Sequence, residues 1–226
     1  MDKIRIAIDG PSGSGKSTLA KNLAREMGLV YVDTGALYRA VGLFVMRAGA
    51  DPKSATQVTM LLDKIELKLA YTDKGQRVIL CGEDVSDLIR TNEISMYASA
   101  VSAIPVVRKF LLEIQKRMAV GGNVVMDGRD IGTVIMPDAD VKLFLESNTQ
   151  ARARRRYEEL LAKGHTYTEE EIYADIVRRD KNDSSREVAP AIPADDAIFV
   201  DNSEFTPEET LAHAMNIIRE KLKRKR

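Results

Sequence analysis

The sequence predicts a doubly wound α/β fold built on a five-stranded parallel β-sheet. Five short apolar runs rich in β-branched residues are separated by segments with helical periodicity. Strands that alternate with helices pair in parallel through right-handed crossovers. The runs lie at 4–8, 29–32, 124–126, 141–145 and 198–200. Ligands bind such a sheet at the edge where its strands end. The residues that follow four of the runs are Gly10, Asp33, Asp127 and Asp201.

The first run leads directly into a glycine-rich segment at 10–17, which reads Gly-Pro-Ser-Gly-Ser-Gly-Lys-Ser. With this spacing, small residues let successive backbone N–H groups turn inward on the α- and β-phosphates of a nucleotide. Lys16 then reaches the β- and γ-phosphates, and Ser17 offers its hydroxyl to a Mg²⁺ ion that bridges phosphate oxygens. The segment therefore predicts a phosphate-binding loop (P-loop) for a nucleotide. Its candidate binding residues are Gly10, Pro11, Ser12, Gly13, Ser14, Gly15, Lys16, Ser17 and Thr18.

The segments on either side of the loop fit this interpretation. A strand pattern at 4–9 precedes it, and apolar residues recur at three- and four-residue spacing from Leu19 to Met27 after it. Gly28 stands where a left-handed helix cap belongs. The helix would direct the positive end of its dipole at a bound phosphate. For the glycine pattern alone, the alternative is a glycine-rich turn in an unrelated α/β protein.

Length and composition limit the class of protein further. The chain has 226 residues, 44% of them hydrophobic, which favours one domain (1–226) with insertions. Its 34 basic and 34 acidic residues cancel, so no overall basic field attracts nucleic acid or an anionic membrane. No apolar run reaches transmembrane length, and we expect a cytoplasmic monomer. The single cysteine, Cys81, is predicted to be a small buried hydrophobe in a strand.

The stretch from about 63 to 87 interrupts the alternation of strands and helices. Apolar and charged residues alternate over 65–71, a turn follows at 72–75, and a second apolar run ends at Leu80. This pattern predicts an antiparallel hairpin. We therefore predict an inserted subdomain at 36–108 that binds the substrate and contains a small antiparallel sheet.

A highly charged stretch at 149–193 carries two helical patterns. Its arginines are Arg152, Arg154, Arg155, Arg156, Arg178, Arg179 and Arg186. A charge run alone favours a solvated helix surface. Beside a phosphate loop, it also predicts a helical, arginine-rich lid that closes over transferring phosphates and excludes water.

Five further segments follow the phosphate loop in order along the chain. They are Asp-Thr-Gly-Ala-Leu-Tyr-Arg at 33–39, Gly-Glu-Asp-Val-Ser at 82–86, the stretch at 99–108, Asp-Gly-Arg-Asp-Ile-Gly-Thr at 127–133 and Arg-Glu-Val-Ala-Pro at 186–190. With these segments the chain resembles the bacterial cytidylate kinases of the nucleoside monophosphate (NMP) kinase family over nearly its whole length. The resemblance implies a five-stranded core, an NMP-binding insert and a mobile lid. It also implies Mg²⁺-dependent transfer of the γ-phosphoryl group of ATP to CMP or dCMP.

The resemblance further implies roles for individual side chains. The catalytic candidates are Lys16, Asp127, Arg129 and Arg179. The candidates that bind the acceptor nucleotide are Thr34, Arg39, Ser99, Arg108, Arg129, Asp130, Arg179, Asp183 and Arg186. Phosphoryl transfer depends mainly on positioning and positive charge, and a forked guanidinium suits phosphate oxygens. Ser17 would bind Mg²⁺ directly and Asp127 through a water molecule. For Asp127 the alternative is a helix cap or a salt bridge.

Base choice is expected to depend on Ser99, Arg108 and Asp130, which surround the cytosine in the family pattern. Cytosine presents an amino donor beside ring acceptors, so a carboxylate can accept from the amino group while an arginine donates to the ring. Uracil would place a carbonyl against the carboxylate, and such polar mismatches are strongly rejected. We therefore predict CMP over UMP. Without the resemblance, Ser99 would be a helix-surface hydroxyl, and Arg108 and Asp130 would be salt-bridge partners.

The chain departs from the family pattern at a few positions. Thr34 stands where serine is common; it keeps the hydroxyl and adds a methyl group. Asn182 and Ser184 stand where some relatives have arginine, which leaves Arg179 and Arg186 as the expected active members of the lid. Asp183 matches a position near the sugar hydroxyls, but it could equally pair with lid arginines.

Other functions stay open at this point. A kinase for UMP, a deoxynucleoside or shikimate would use the same phosphate loop. A GTP-dependent switch would need an Asn-Lys-x-Asp motif. Here the residue before Lys181 is Asp180 and not asparagine, and Asp130 stands where a switch would have glycine. A nucleic-acid-binding module would need a basic face. The expected ligands are ATP and CMP or dCMP, with Mg²⁺ as the cofactor.

Overall fold

The computed structural model describes residues 3–73, 75–162 and 164–224 and confirms the predicted α/β fold. The strands are β1 (Arg5–Asp9), β2 (Val30–Asp33), β3 (Leu67–Thr72), β4 (Gly75–Leu80), β5 (Glu83–Asp84), β6 (Val124–Asp127), β7 (Val141–Glu146) and β8 (Ile198–Asp201). The α-helices are α1 (Lys16–Met27), α2 (Thr34–Arg47), α3 (Ala55–Leu62), α4 (Asn92–Val101), α5 (Pro105–Val120), α6 (Thr149–Ala162), α7 (Glu169–Ser184) and α8 (Pro207–Lys223). A 3₁₀ turn covers Leu88–Arg90 and a π-helical turn covers Ile131–Ile135. None of the helices in these ranges is by itself long and apolar enough to cross a membrane.

Five strands form the predicted parallel sheet in the order β2-β6-β1-β7-β8. The middle strand, β1, pairs with β6 on one side and β7 on the other, so that Ile8 lies opposite both Asp127 and Leu143. Because the strands run in the same direction, their carboxyl ends meet at one edge. The phosphate loop therefore leaves the sheet between the ends of β6 and β7.

The chain divides into two compact units, a first unit of Met1–Tyr31 with Gly121–Arg226 and a second unit of Val32–Val120. In the first unit, α1 and α8 pack against alternate residues of the central strands. Their shared core includes Ile6, Ile8, Leu23, Leu143 and Ile218. Helices α6 and α7 have a small apolar cluster of their own, formed by Ala153, Leu160, Ile172 and Ile176. The two helices, called here the α6–α7 pair, are thus held together by apolar contacts of their own.

The second unit has a separate hydrophobic core, which includes side chains of α2 to α5 and of a three-stranded sheet in the order β3-β4-β5. The predicted hairpin is present, with Leu67 opposite Leu80 and Thr72 opposite Gly75 in an antiparallel register. Lys74, in the predicted turn, lies outside the described residues. That residues 36–108 act as a substrate-binding insert stays a prediction.

The prediction that Cys81 is buried in a strand is wrong. Cys81 is exposed and lies just beyond the end of β4, with a backbone φ of +50°. Its N–H donates to the Glu66 carbonyl oxygen at 2.7 Å, and Gly82 follows with a φ of +86°. The chain must turn sharply here to begin β5, so the apolar pattern that ends at Leu80 does not extend to the cysteine.

Candidate active site

The phosphate loop is held in place by its close neighbours. Gly10 has a φ of +147°, and a Cβ atom there would overlap the Leu145 carbonyl oxygen of β7, so only glycine lets the chain leave the sheet this close to the next strand. Gly15 caps α1 with a φ of +89°. The side-chain amide of Asn202, after β8, donates to the Ser14 carbonyl oxygen at 3.0 Å. The loop is therefore fixed at both ends and in its middle.

Lys16, the first residue of α1, is buried beneath this loop. Its Nζ donates to the Pro11 carbonyl oxygen at 2.5 Å and to the Ser14 hydroxyl at 3.3 Å. Burial lowers the pKa of Lys16 and Arg129 lowers it further, while the Asp127 carboxylate opposes both effects. A lysine charge in such a site is poorly screened, so it interacts strongly with phosphate oxygens.

The Asp127 carboxylate, at the end of β6, is engaged through both of its oxygens. The Ser17 hydroxyl donates to Oδ2 at 2.7 Å, and the Tyr31 hydroxyl donates to Oδ1 at 2.9 Å. Hydroxyl and carboxylate oxygens are the ligands that Mg²⁺ prefers. The Ser17–Asp127 pair beside the phosphate loop therefore fits this ion. In the described residues no three His, Cys, Asp or Glu side chains are grouped to hold a metal by themselves, so phosphate oxygens or water would complete its shell.

Asp9, the last residue of β1, orders the segment that contains Asp130. Its two carboxylate oxygens accept from the backbone N–H groups of Ile131, at 2.8 Å, and Gly132, at 2.7 Å. Burial raises the pKa of Asp9 to about 6, although these two hydrogen bonds lower it. Asp130 is also buried, and its charge raises the pKa of Asp9 further.

The raised pKa of Asp9 predicts a pH-dependent contribution to stability. Between the ordinary carboxyl pKa of 3.8 and about 6, the folded chain keeps a proton on Asp9 that the unfolded chain loses. This contribution is therefore fully present below 3.8 and lost as the pH rises through 6. In denaturant unfolding from pH 4 to 7, the free energy of unfolding of the wild type minus that of Asp9→Asn should fall by about 2 kcal/mol.

Asp138→Asn is the matched control for this experiment. Asp138 is exposed and pairs with Arg5 at 3.0 Å, and the hydrogen bond from Arg5 lowers its pKa. Its contribution therefore has the opposite sign: it is present above the unfolded pKa and lost as the pH falls. A difference for Asp9→Asn that stays flat from pH 4 to 7 would show that Asp9 titrates normally.

Two arginines from different parts of the first unit contact Asp183. Arg129 donates from Nε to Asp183 Oδ2 at 2.9 Å, and Arg186 donates to Oδ1. Asp183 is 5% exposed; burial acts to raise its pKa, but Arg129, Arg186 and Arg179 together lower it. Of the two interpretations of Asp183, pairing with arginines is thus observed, and contact with the sugar stays a prediction.

In the second unit, Asp33 organises the start of α2. Its carboxylate caps the helix by accepting from Ala36 N–H at 2.9 Å and accepts from Arg90 Nη1 at 2.8 Å, with Arg39 Nη1 3.8 Å away. Burial acts to raise the pKa of Asp33, but Arg39 and Arg90 hold it below its ordinary value. The Gln76 side chain bonds both backbone groups of Asp33. The predicted phosphate-binding Arg39 is therefore oriented by a fixed carboxylate.

The predicted base-binding residues of the second unit lie on two consecutive helices. Arg108, on α5, is 7% exposed; its Nη1 donates to the Ser102 carbonyl oxygen at 3.3 Å, and its guanidinium lies 5.6 Å from the centre of the Tyr38 ring. Ser99, on α4, is half-buried, and its carbonyl oxygen accepts from the Ser102 hydroxyl at 2.9 Å. Thr34 is buried as the first residue of α2. Ser99 and Arg108 thus meet at Ser102, while Asp130 belongs to the first unit.

A family model described as cytidylate kinase matches residues 6–220 of the chain. The chain belongs to the cytidylate kinase family. It is 46% identical over 215 residues to a protein named cytidylate kinase from Carboxydothermus hydrogenoformans, covering 95% of this chain and 97% of that protein. It is 47% identical over 217 residues to a protein named cytidylate kinase from Fervidobacterium nodosum, covering 96% of this chain and 97% of that protein. As a member of the cytidylate kinase family it is an enzyme, a nucleoside monophosphate kinase.

Solved structures agree with the fold of this cytidylate kinase family member. A shikimate kinase from Bacteroides thetaiotaomicron superposes with a TM-score of 0.50 at 13% identity, covering 96% of this chain and 99% of that one. At so low an identity the likeness concerns the fold alone. It agrees with a five-stranded parallel sheet flanked by helices.

The arginines of the charged stretch fall into separate groups in this cytidylate kinase family member. Three form exposed ion pairs within their own helices: Arg154 with Glu158, Arg156 with Glu159 and Arg178 with Asp175. Arg155 donates to the backbone carbonyls of Asn202, Ser203 and Phe205. Surface and structural roles therefore account for most of the run. Asn182 and Ser184, the departures from the family pattern, are exposed on either side of Asp183.

Several residues that shape the site did not appear among the candidate site residues, although Arg152 belongs to the arginine-rich stretch predicted as a lid. Asp9 stands at the carboxyl end of a parallel strand, a position that predicts a site residue. Tyr31, which holds Asp127, lies in a strand pattern with no such signal. Arg152, Asp180 and Asn202 contact the phosphate loop from distant parts of the sequence, and their spacing along the chain gives no indication of it.

Proposed function

We propose that this enzyme transfers the γ-phosphoryl group of ATP to CMP or dCMP, giving ADP and CDP or dCDP. The observation that carries the proposal is the buried Lys16 under the phosphate loop, close enough to Arg129 for the arginine to lower its pKa. Arg129 in turn contacts Asp183, which Arg186 also contacts. Positive groups are thus concentrated around one point, beside a loop that suits a triphosphate. The names of the relatives support the same donor and acceptor.

The proposed mechanism depends on positioning and charge. Oxygens of the transferring group carry dispersed negative charge in the transition state, and fixed cations in a buried site stabilise it without reorganising. In the proposal, Lys16 would contact the β- and γ-phosphates, and Arg129, Arg179 and Arg186 would contact the transferring group and the acceptor phosphate. Arg39 of the second unit, oriented by Asp33, would also bind the acceptor phosphate.

In the proposal, the base is recognised by Ser99, Arg108 and Asp130. The two hydrogen bonds from backbone N–H groups to Asp9 fix the turn that follows Asp130. Arg108 is held against the Tyr38 ring and the Ser102 carbonyl. Arg108 and the segment that carries Asp130 are therefore each fixed within their own unit, and fixed polar groups are what discrimination between amino and carbonyl substituents requires.

Mg²⁺ is part of the proposal, and Ser17 and Asp127 are the residues that would hold it with ATP. When bound, the ion would supply positive charge that offsets the charge of the phosphate oxygens. Tyr31 and Ser17 keep the carboxylate of Asp127 in one orientation through hydrogen bonds to its two oxygens. We also propose that the enzyme is a cytoplasmic monomer.

The test is ADP release from ATP with CMP, dCMP, UMP, AMP, shikimate or no acceptor, with Mg²⁺ or with EDTA. The proposal expects rapid release with CMP and dCMP, slow release with the others, and none with EDTA. Equal rates with CMP and UMP would contradict the assignment of Ser99, Arg108 and Asp130. Turnover independent of any acceptor would favour the alternative of a nucleotide-dependent switch.

A further inference from the structure

The α6–α7 pair contacts the phosphate loop through both backbone polar groups of one residue, Ser12. Asp180, on α7, accepts a hydrogen bond from the Ser12 N–H, with 3.1 Å between nitrogen and Oδ1. Arg152, on α6, donates from Nη1 to the Ser12 carbonyl oxygen at 2.8 Å. The same nitrogen also donates to Asp180 Oδ2 at 2.5 Å. The Asp180–Arg152 pair thus encloses the Ser12 backbone.

All three guanidinium nitrogens of Arg152 are used within the protein. Besides Nη1, its Nε donates to the Ser147 carbonyl oxygen at 2.9 Å and its Nη2 to the Thr149 hydroxyl at 3.0 Å. The side chain is only 5% exposed. Although Arg152 belongs to the arginine-rich stretch, it is therefore not arranged to bind phosphate. Asp180, as an anion, is unsuited to that role as well.

The loop also lies close to both helices. A Cβ atom on Gly13 would lie 3.5 Å from the Arg152 Cβ and 3.9 Å from the Ile176 Cδ1. Ile176 belongs to the apolar cluster that joins α6 to α7. A change in the spacing of the two helices would therefore alter the contacts that Gly13 and Ser12 make with them.

We infer that Asp180 and Arg152 are positioning residues that fix the orientation of the Ser12 backbone and thereby couple nucleotide binding to the order of the α6–α7 pair. The inference rests on the proposed function only in taking Mg·ATP as the nucleotide. Coupling of this kind is reciprocal: if the ordered helix pair strengthens nucleotide binding, nucleotide must order the helix pair to the same extent. An effect on binding and an effect on helix protection must therefore appear together.

The experiment compares Asp180→Ala with Asp175→Ala in the full chain. Asp175 lies on the same helix and pairs with Arg178 at 2.5 Å on the exposed side, so its removal controls for the loss of an acid–arginine pair. Calorimetry gives the dissociation constant of Mg·ATP, and hydrogen exchange gives the protection of α6 and α7 amides with and without nucleotide. For Asp180→Ala we expect binding about tenfold weaker and the nucleotide-induced protection lost; the control should stay within about twofold of the wild type.

Asp180→Asn gives a second test should the alanine variant fail to fold. The amide oxygen can still accept from Ser12, but a neutral group leaves the buried charge of Arg152 unbalanced, so binding about threefold weaker or more is expected. Unchanged affinity and protection in either Asp180 variant, with or without reduced thermal stability, would overturn the inference. A wild type that binds no Mg·ATP would instead overturn the proposed function.

Discussion

Lys16→Ala is expected to reduce kcat by roughly 10³-fold while the fold stays intact. The lysine charge is buried beneath the phosphate loop, where burial lowers its pKa and solvent screens it little. Its interaction with phosphate oxygens grows as charge develops in the transition state, so the loss should appear in kcat more than in KM. Single-turnover phosphoryl transfer with CMP measures the loss of catalysis, and circular dichroism of the variant tests whether the fold is intact.

The fold should tolerate this change because the hydrogen bonds from Lys16 go to groups of the loop itself, Pro11 and Ser14. Arg25→Ala, which removes an exposed cation from the same helix, is the matched control and should keep wild-type kcat. Retention of more than about a tenth of the wild-type kcat in Lys16→Ala would exclude the lysine from transition-state stabilisation.

Asp130→Ala is expected to reduce the preference for CMP over UMP by about 100-fold, because a charged hydrogen bond to the cytosine amino group is lost while a repulsive contact with uracil is removed. Asp130 is buried and stands immediately before the turn at Ile131–Ile135, whose first two N–H groups donate to Asp9. The measurement is kcat/KM for CMP and for UMP in parallel. The expected change is a large decrease for CMP and little decrease, or a gain, for UMP.

Asp138→Ala removes an exposed carboxylate a short distance further along the same connection and serves as the control. It should leave the ratio of the two kcat/KM values unchanged. Equal losses for CMP and UMP in Asp130→Ala would assign Asp130 a structural role, through its charge on Asp9, in place of base recognition.

The five strands of the parallel sheet could be predicted because each is a short apolar run, and the observed bounds differ from the predicted ones by at most one residue. The phosphate loop could be predicted because its function requires particular residues at fixed spacing. The exposure of Cys81 could not be predicted, because a local apolar pattern does not show where a strand must end for the chain to turn.

The arginine-rich stretch illustrates a different limit. Arg152 and Arg154 look alike in the sequence, yet one is buried against the phosphate loop and the other forms an exposed pair with Glu158. What distinguishes them is the direction each side chain takes from α6 and the backbone that it meets there. Such contacts depend on packing between segments far apart in the chain, and no local pattern encodes them.

The position of Asp183 affects how an acceptor phosphate would bind in the proposed site. Arg129 and Arg186 both contact this carboxylate, so part of their charge is already balanced within the protein. A phosphate that binds to these arginines exchanges with an internal anion, or shares the guanidinium donors with it, and does not meet two bare cations. The net electrostatic gain on binding is then reduced, and on the proposed function this favours ligands that also fit the proposed base and sugar sites over simple inorganic anions.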